Sequence, residues 1–265
     1  MSVSRVYILA LNEETNIGKC LRRLSRFRIP VTLLDSGSSD RTLEIARTFP
    51  FCTIEPYRFS GHAHAYNEIT SKRTPSTEFV MVLDADMEVS EELYREVVEI
   101  CTTKDTEVVR APVQMYVEGF PLRFGSLYPP KAFVFRGGAE YFLAAGHSDR
   151  LRPNVKVATT KSKLIHNDLK DYSVYLLTQC RYGQNLWENY LQGAVSLKDR
   201  IRVRTVWGSV LMMLYSYFIR GGFLAGKLGL LYAIDRLIAG LIQFRIATAN
   251  RMKLHPKHSD QLGNR

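Results

Sequence analysis

The sequence predicts an α/β protein: a mixed, mainly parallel sheet flanked by helices, with amphipathic helices at its C-terminal end. Apolar runs alternate with helical spacings through the first half, a pattern that implies a mostly parallel sheet covered on both faces. Two of those runs, Val31–Asp35 and the one beginning at Phe79, end in Asp followed by a turn or a small residue. A late region holds two apolar stretches bracketed by Lys and Arg. With 265 residues, 46% of them hydrophobic, the chain can bury one large core.

The elements follow in order. A strand over residues 5–11 leads to a helix over 16–26, where Ile17, Cys20, Leu21 and Leu24 recur at helical spacing. Val31–Asp35 is a second buried strand, closed by the turn-rich Ser36-Gly37-Ser38-Ser39-Asp40 and a helix to about Phe49. Asp40 reads as the N-cap of that helix. A short strand at 52–55, a helix at 64–71 and a strand at 78–83 follow, and a further helix is expected near Ser90. Beyond them, 108–117 and 131–136 read as strands separated by a Gly/Pro-bearing stretch, and 168–191 is helical. No GxGxxG follows the first strand, so a dinucleotide fingerprint is absent. The expected organisation is one domain over 1–195, divided into halves at 1–106 and 107–195, and a basic, apolar helical region over 196–265.

Charge separates these regions. Residues 198–265 carry twelve Lys/Arg against three Asp, whereas the first 197 carry 24 Lys/Arg against 23 Asp/Glu. Nearly all of the net +10 therefore sits in the tail. Such a tail can meet nucleic acid, an anionic membrane or a protein. Phosphate-tracking surfaces are mostly polar, and here the basic residues alternate with long apolar stretches, so nucleic acid is not expected as a partner. Val206–Ile219 has fourteen residues without a charge, too few to span a bilayer, which needs about 20. Together with 223–244 it suits a segment lying in the membrane interface. The four cysteines form no CxxC pair, so free thiols in a reducing compartment are expected. No secretory signal is visible.

Asp84-Ala85-Asp86 carries the most chemistry. It follows Phe79-Val80-Met81-Val82-Leu83, so both carboxylates reach the carboxyl edge of the sheet, where open α/β sheets bind ligands. Mg²⁺ and Mn²⁺ bind through one or two carboxylates plus substrate phosphates. The competing reading makes the pair a cap for the helix near Ser90.

Three strand ends converge: Leu11-Asn12-Glu13-Glu14, Asp35-Ser36-Gly37-Ser38-Ser39-Asp40 and Asp84-Ala85-Asp86. In order and spacing they resemble the nucleotide-sugar-binding half of family 2 glycosyltransferases with the GT-A fold, a Rossmann-like nucleotide-diphospho-sugar transferase. Ser39 stands where that family usually has Thr. The resemblance implies that Leu11, Asn12 and Glu14 surround the nucleoside and that Asp35 contacts the base or ribose. It places Asp84 and Ala85 against the donor, Asp84 also near the metal, and Asp86 as ligand to a Mg or Mn ion bridging the diphosphate. Asn67 lies where a family Asn often lines the nucleotide pocket. His166, in His166-Asn167-Asp168 before the helix bearing Gln179, Arg181 and Tyr182, resembles a further metal ligand of these transferases. His62 and His64 read as loop residues near the nucleotide.

Inversion at the anomeric carbon needs a base within reach of the acceptor hydroxyl. Asp149 and Glu140 are the candidates, and an ion pair with Arg136, Arg150 or Arg152 is the alternative for either. Residues 217–227 resemble the segment that ends many lipopolysaccharide-core and exopolysaccharide transferases, with Ala225 where the family usually has Asp. The resemblance thus implies an inverting, metal-dependent hexosyltransferase-like enzyme of polysaccharide biosynthesis. It would take a nucleotide-diphosphate sugar and a lipid-linked or glycan acceptor, and sit peripheral to the inner, cytoplasmic face of the cell membrane. The alternative is a non-catalytic sugar-nucleotide- or glycan-binding subunit of a membrane complex.

Overall fold

A computed structural model of the chain describes residues 3–143, 150–193, 195 and 197–254. These fall into two compact units, one of residues 3–121, 128–143 and 150–170, the other of 122–127 and 171–254.

The first unit opens with β1 (Val3–Ala10), α1 (Ile17–Leu24), β2 (Val31–Asp35), α2 (Thr42–Arg47), β3 (Cys52–Pro56), α3 (His62–Lys72) and β4 (Phe79–Asp84). There follow β5 (Met87–Glu88), α4 (Glu91–Thr103), β6 (Val108–Ala111), β7 (Val113–Val117), β8 (Phe120–Pro121), β9 (Lys131–Arg136) and β10 (Phe142–Leu143). The unit closes with β11 (Arg150–Leu151), β12 (Val157–Thr159) and β13 (Leu164–His166). Among the described residues the main sheet has seven strands in the order β12-β6-β9-β4-β1-β2-β3. β1 lies between β2 and β4, parallel to both, and β9 enters antiparallel between β4 and β6.

Strand periodicity sends alternate side chains to opposite faces. Val6, Ile8 and Ala10 pack in one cluster with Ile17 and Leu21 of α1 and Leu93 and Val97 of α4. Tyr7 and Leu9 join the opposite cluster with Ala65, Tyr66 and Ile69 of α3. Both faces are therefore covered, which is why β4 reads as an unbroken apolar run. The expected strand over 108–117 divides at Pro112: β6 stays in the main sheet while β7 joins a second sheet, β5-β13-β7-β8. Proline offers no N–H to a ladder, so the strand breaks there.

The second unit contains α5 (Tyr172–Leu191), α6 (Leu197–Arg204), α7 (Trp207–Leu214) and α8 (Gly226–Leu254). Asp171 caps α5 by accepting from Ser173 N at 2.8 Å. Leu186 and Trp187 of α5 share a buried cluster with Val203 of α6 and Ala247 of α8. Tyr172 Oη donates to Asp235 Oδ1 at 2.8 Å. The second unit thus takes in α5, whose apolar face is completed by the helices that follow it. α7 continues through a π turn over Tyr215–Ile219 and a left-handed Gly221 into a short 3₁₀ turn, Gly222–Ala225. Ser216 Oγ donates to Gly125 O at 2.8 Å and Gly125 N to Arg220 O at 2.9 Å. No helix of the described residues is long and apolar enough to cross a membrane.

Candidate active site

The carboxyl ends of β1, β2 and β4 lie side by side, with Leu9 opposite Asp84 and Ala10 opposite Asp35. Asn12 takes a left-handed conformation, φ 55°, which Asn tolerates better than most residues. Its N–H donates to Ser38 Oγ at 2.9 Å and its Oδ1 accepts from Ser39 N at 2.8 Å. Asp35 is buried and folds the loop after β2, accepting from Gly37 N at 3.0 Å and Ser38 Oγ at 2.5 Å. Glu14 Oε2 accepts from Arg41 N at 3.0 Å, and Asp40 accepts from Thr42 N at 3.0 Å. Asp40 thus bonds the first turn of α2 as a cap does. These polar residues bind the first two loops to each other, and Leu11 stands exposed beside them.

Asp84 and Asp86 do not cap the next helix. Ser90 does, accepting from Leu93 N at 3.1 Å, with Glu91 and Glu92 in the first turn. The side chain of Ala85 is buried in the core, so it can meet a ligand only through its backbone. Asp84 is ion-paired with Lys131, the first residue of β9, and His62 Nδ1 at the start of α3 lies 3.9 Å from it. Burial would raise the Asp84 carboxyl, but Lys131 and then His62 outweigh it and hold it at about 2. Lys131 in turn stays well above its ordinary value: burial pulls it down and Asp84 pulls it up further.

Asp86 lacks such a counter-charge. β5 pairs antiparallel with β13, Met87 opposite His166, and this register brings His166 Nε2 to 3.3 Å from Asp86 Oδ2. Burial and the neighbouring Asp84 and Asp168 push the Asp86 carboxyl up, against the pull of His166. Both Asp84 Oδ1 and Asp86 Oδ1 are buried without a hydrogen-bond partner, a state that calls for an unfilled partner. Among the described residues no cluster of three or more His, Cys, Asp or Glu could hold a metal by itself. Carboxylate oxygens beside an imidazole nevertheless suit a divalent ion whose remaining ligands come from phosphate or water.

Other candidates are placed differently. Asn67 Oδ1 accepts from Tyr141 N and Phe142 N, and its Nδ2 donates to Phe142 O, each at 2.9 Å. Its amide therefore holds the 141–142 backbone. Asn67→Ala is expected to destabilise the fold by about 1–3 kcal/mol, since it leaves buried backbone groups unpaired; urea denaturation measures it. Glu140 is ion-paired with Arg152 at 2.7 Å, the structural alternative foreseen for it. Asp149 lies outside the described residues. His64 is exposed on α3, whereas His62 faces Asp84.

Sequence reasoning missed Lys131, and also Glu13. Glu13 Oε1 accepts from Lys170 Nζ at 2.6 Å and Oε2 from Asn16 Nδ2 at 2.8 Å, and Asn16 also donates to Asp168. Burial pushes the Glu13 carboxyl up to about 7, with Lys170 and Asn16 opposing. An unfolded Glu titrates near about 4.3, so the folded chain holds the extra proton between the two values. Its contribution to stability is full below about 4.3 and lost as pH rises through about 7. Melting temperature is expected to fall across that window, and Glu13→Gln to flatten the slope; melts at matched pH values decide it.

Carboxylates, imidazoles and a lysine thus gather at the carboxyl ends of the strands of an α/β protein, the edge where open α/β sheets bind ligands. The family model for glycosyl transferase family 2 matches residues 5–143, more than half of the chain. The chain belongs to this family: it is a glycosyltransferase with a mixed, mainly parallel GT-A-type sheet. Among solved structures it is similar to S. aureus TarS 1–349, with TM-score 0.45 and 13% identity over 96% of this chain and 92% of that one. Similarity to S. aureus TarS gives TM-score 0.48 and 14% identity over 94% and 55%. With TarS 1–349 in complex with UDP-GlcNAc the values are 0.41 and 12% over 96% and 92%.

Proposed function

We propose that the protein transfers one sugar, with inversion, from a nucleotide-diphosphate donor to a membrane-linked glycan or lipid acceptor. The observation that carries this reading is the unpartnered Asp86 Oδ1 beside His166, next to an Asp84 already neutralised by Lys131. Negative charge grows on the departing diphosphate as the glycosidic bond breaks. Asp86 and His166, with Asp84 nearby, would hold a Mg²⁺ or Mn²⁺ ion, which would supply Lewis-acid stabilisation of that charge, an effect of several kcal/mol. Asn12, Glu14 and Asp35 fix the two loops that flank the nucleoside, and exposed Leu11 offers it an apolar contact. Asp149 is assigned as the base on its sequence context, since Arg152 holds Glu140. The surplus of Lys and Arg over residues 198–265 supports work at the inner surface of a membrane.

Thermal-shift screening of UDP-, GDP-, dTDP- and CMP-linked sugars, with and without Mn²⁺, tests the reading. One diphosphate donor is expected to raise the melting temperature, and to raise it more with Mn²⁺, because a ligand of the folded form stabilises by linkage. No response to any diphosphate donor, or a response indifferent to Mn²⁺, would contradict it.

A further inference from the structure

Helix α8 packs against α7 and against the 3₁₀ turn after it through small residues. A methyl group added at Gly240 would come within 2.1 Å of Ser209 Oγ, and one at Gly229 within 1.8 Å of Gly222 O. Ser209 and Ser216 are buried. The large apolar side chains point the other way. Trp207, Leu211, Leu214, Tyr215 and Phe218 recur at helical spacing and are exposed, Trp207 at 66% and Leu211 at 62%; Ile219, next along, reaches 73%. Past the turn, Phe223 and Leu224 are exposed as well.

A helix on a water-facing surface does the reverse, turning its apolar stripe to the core. Small residues inward and large apolar residues outward is how helices pack in lipid, where close backbone approach holds them together. The charges around the stripe have one sign. Between Asp199 and Asp235 there is no carboxylate, while Arg200, Arg202, Arg204, Arg220 and Lys227 lie in the same interval. Arg204 and Arg220 bracket the uncharged run and are both exposed. Residues 207–219 extend about 20 Å as a helix, short of the roughly 30 Å hydrocarbon core, so they can lie in a bilayer but not cross it. Trp and Tyr on the stripe favour the headgroup boundary.

We infer that the outward face of α7, continued through Ile219, is a monotopic insertion surface that lies in the interfacial layer of an anionic membrane, with Arg204 and Arg220 among the headgroups. The inference deepens the proposed membrane-linked acceptor and rests on that reading for its purpose, but lipid binding is measured with neither donor nor acceptor present.

The test is flotation of the full chain with vesicles of phosphatidylcholine containing about one-third phosphatidylglycerol, and with phosphatidylcholine alone. The native chain is expected to float with the anionic vesicles and far less with the neutral ones. The double variant Leu211→Ser/Phe218→Ser, which alters exposed side chains only, is expected to float on the order of tenfold less at an unchanged melting temperature. Brominated acyl chains are expected to quench fluorescence in the native chain and not in Trp207→Phe, since Trp187 is buried. Absence of flotation, equal flotation of the double variant, or a lipid-free dimer that the double variant disperses would each overturn the inference. A donor-induced rise in melting temperature that survives such a result would leave the glycosyltransferase reading standing.

Discussion

Replacing Asp86 with Ala is expected to lower kcat/KM for sugar transfer by about 10³-fold, the loss of roughly 4 kcal/mol of transition-state stabilisation. The fold should not suffer. Asp86 is a buried carboxyl beside Asp84 and Asp168, with its Oδ1 unpartnered, and removing it relieves repulsion. A melting temperature at or above that of the native chain, with transfer nearly abolished, is the expected pair of results. Normal transfer by a folded Asp86→Ala protein would remove the residue from the chemistry. His166→Ala should lie in the same direction with a smaller effect, because imidazole carries no fixed charge to hold the ion.

Lys131→Met is expected to cost both stability and activity. The lysine is largely buried against Asp84, and removing one partner of a buried ion pair leaves an uncompensated charge, a loss of about 3–5 kcal/mol. Asp84 is then no longer held ionised and in place next to Asp86. Combining Asp84→Asn with Lys131→Met should restore most of the stability, since neither charge remains, while transfer stays low. Urea unfolding of the two single variants and the double one measures the coupling directly. Additive losses would show that the pair does not act as a unit.

The parts of the site legible in the sequence were those carried by strand periodicity. β1, β2 and β4 are buried on both faces, so their apolar runs mark where they end, and Asn12, Asp35, Asp84 and Asp86 follow from those ends. Lys131 was hidden for a topological reason. Its strand could be read, but only the antiparallel entry of β9, with Met81 opposite Val134, brings its first residue to the end of β4; no local pattern encodes that direction. A lysine opening an otherwise apolar strand was the available signal. His62, read as a loop residue near the nucleotide, opens α3 instead, and its approach to Asp84 was hidden in the same way, because the start of α3 had to be placed against β4 first. The bonds of Asn67 to residues 141–142 were not legible, because an amide that serves the backbone of a distant segment looks, in sequence, like one that serves a ligand. Pro112 was the available signal for the break between β6 and β7, which the reading of 108–117 as one strand passed over, and the second sheet it begins is what delivers His166.

Binding of Mn²⁺, followed by its electron paramagnetic resonance signal in the presence of uridine or guanosine diphosphate, tests most directly whether these strand ends hold a cation against a diphosphate. Diphosphate is expected to strengthen Mn²⁺ binding to the native chain and to an Asp105→Asn control, and to leave it weak in Asp86→Ala. Equal binding in Asp86→Ala and the native chain would contradict the account.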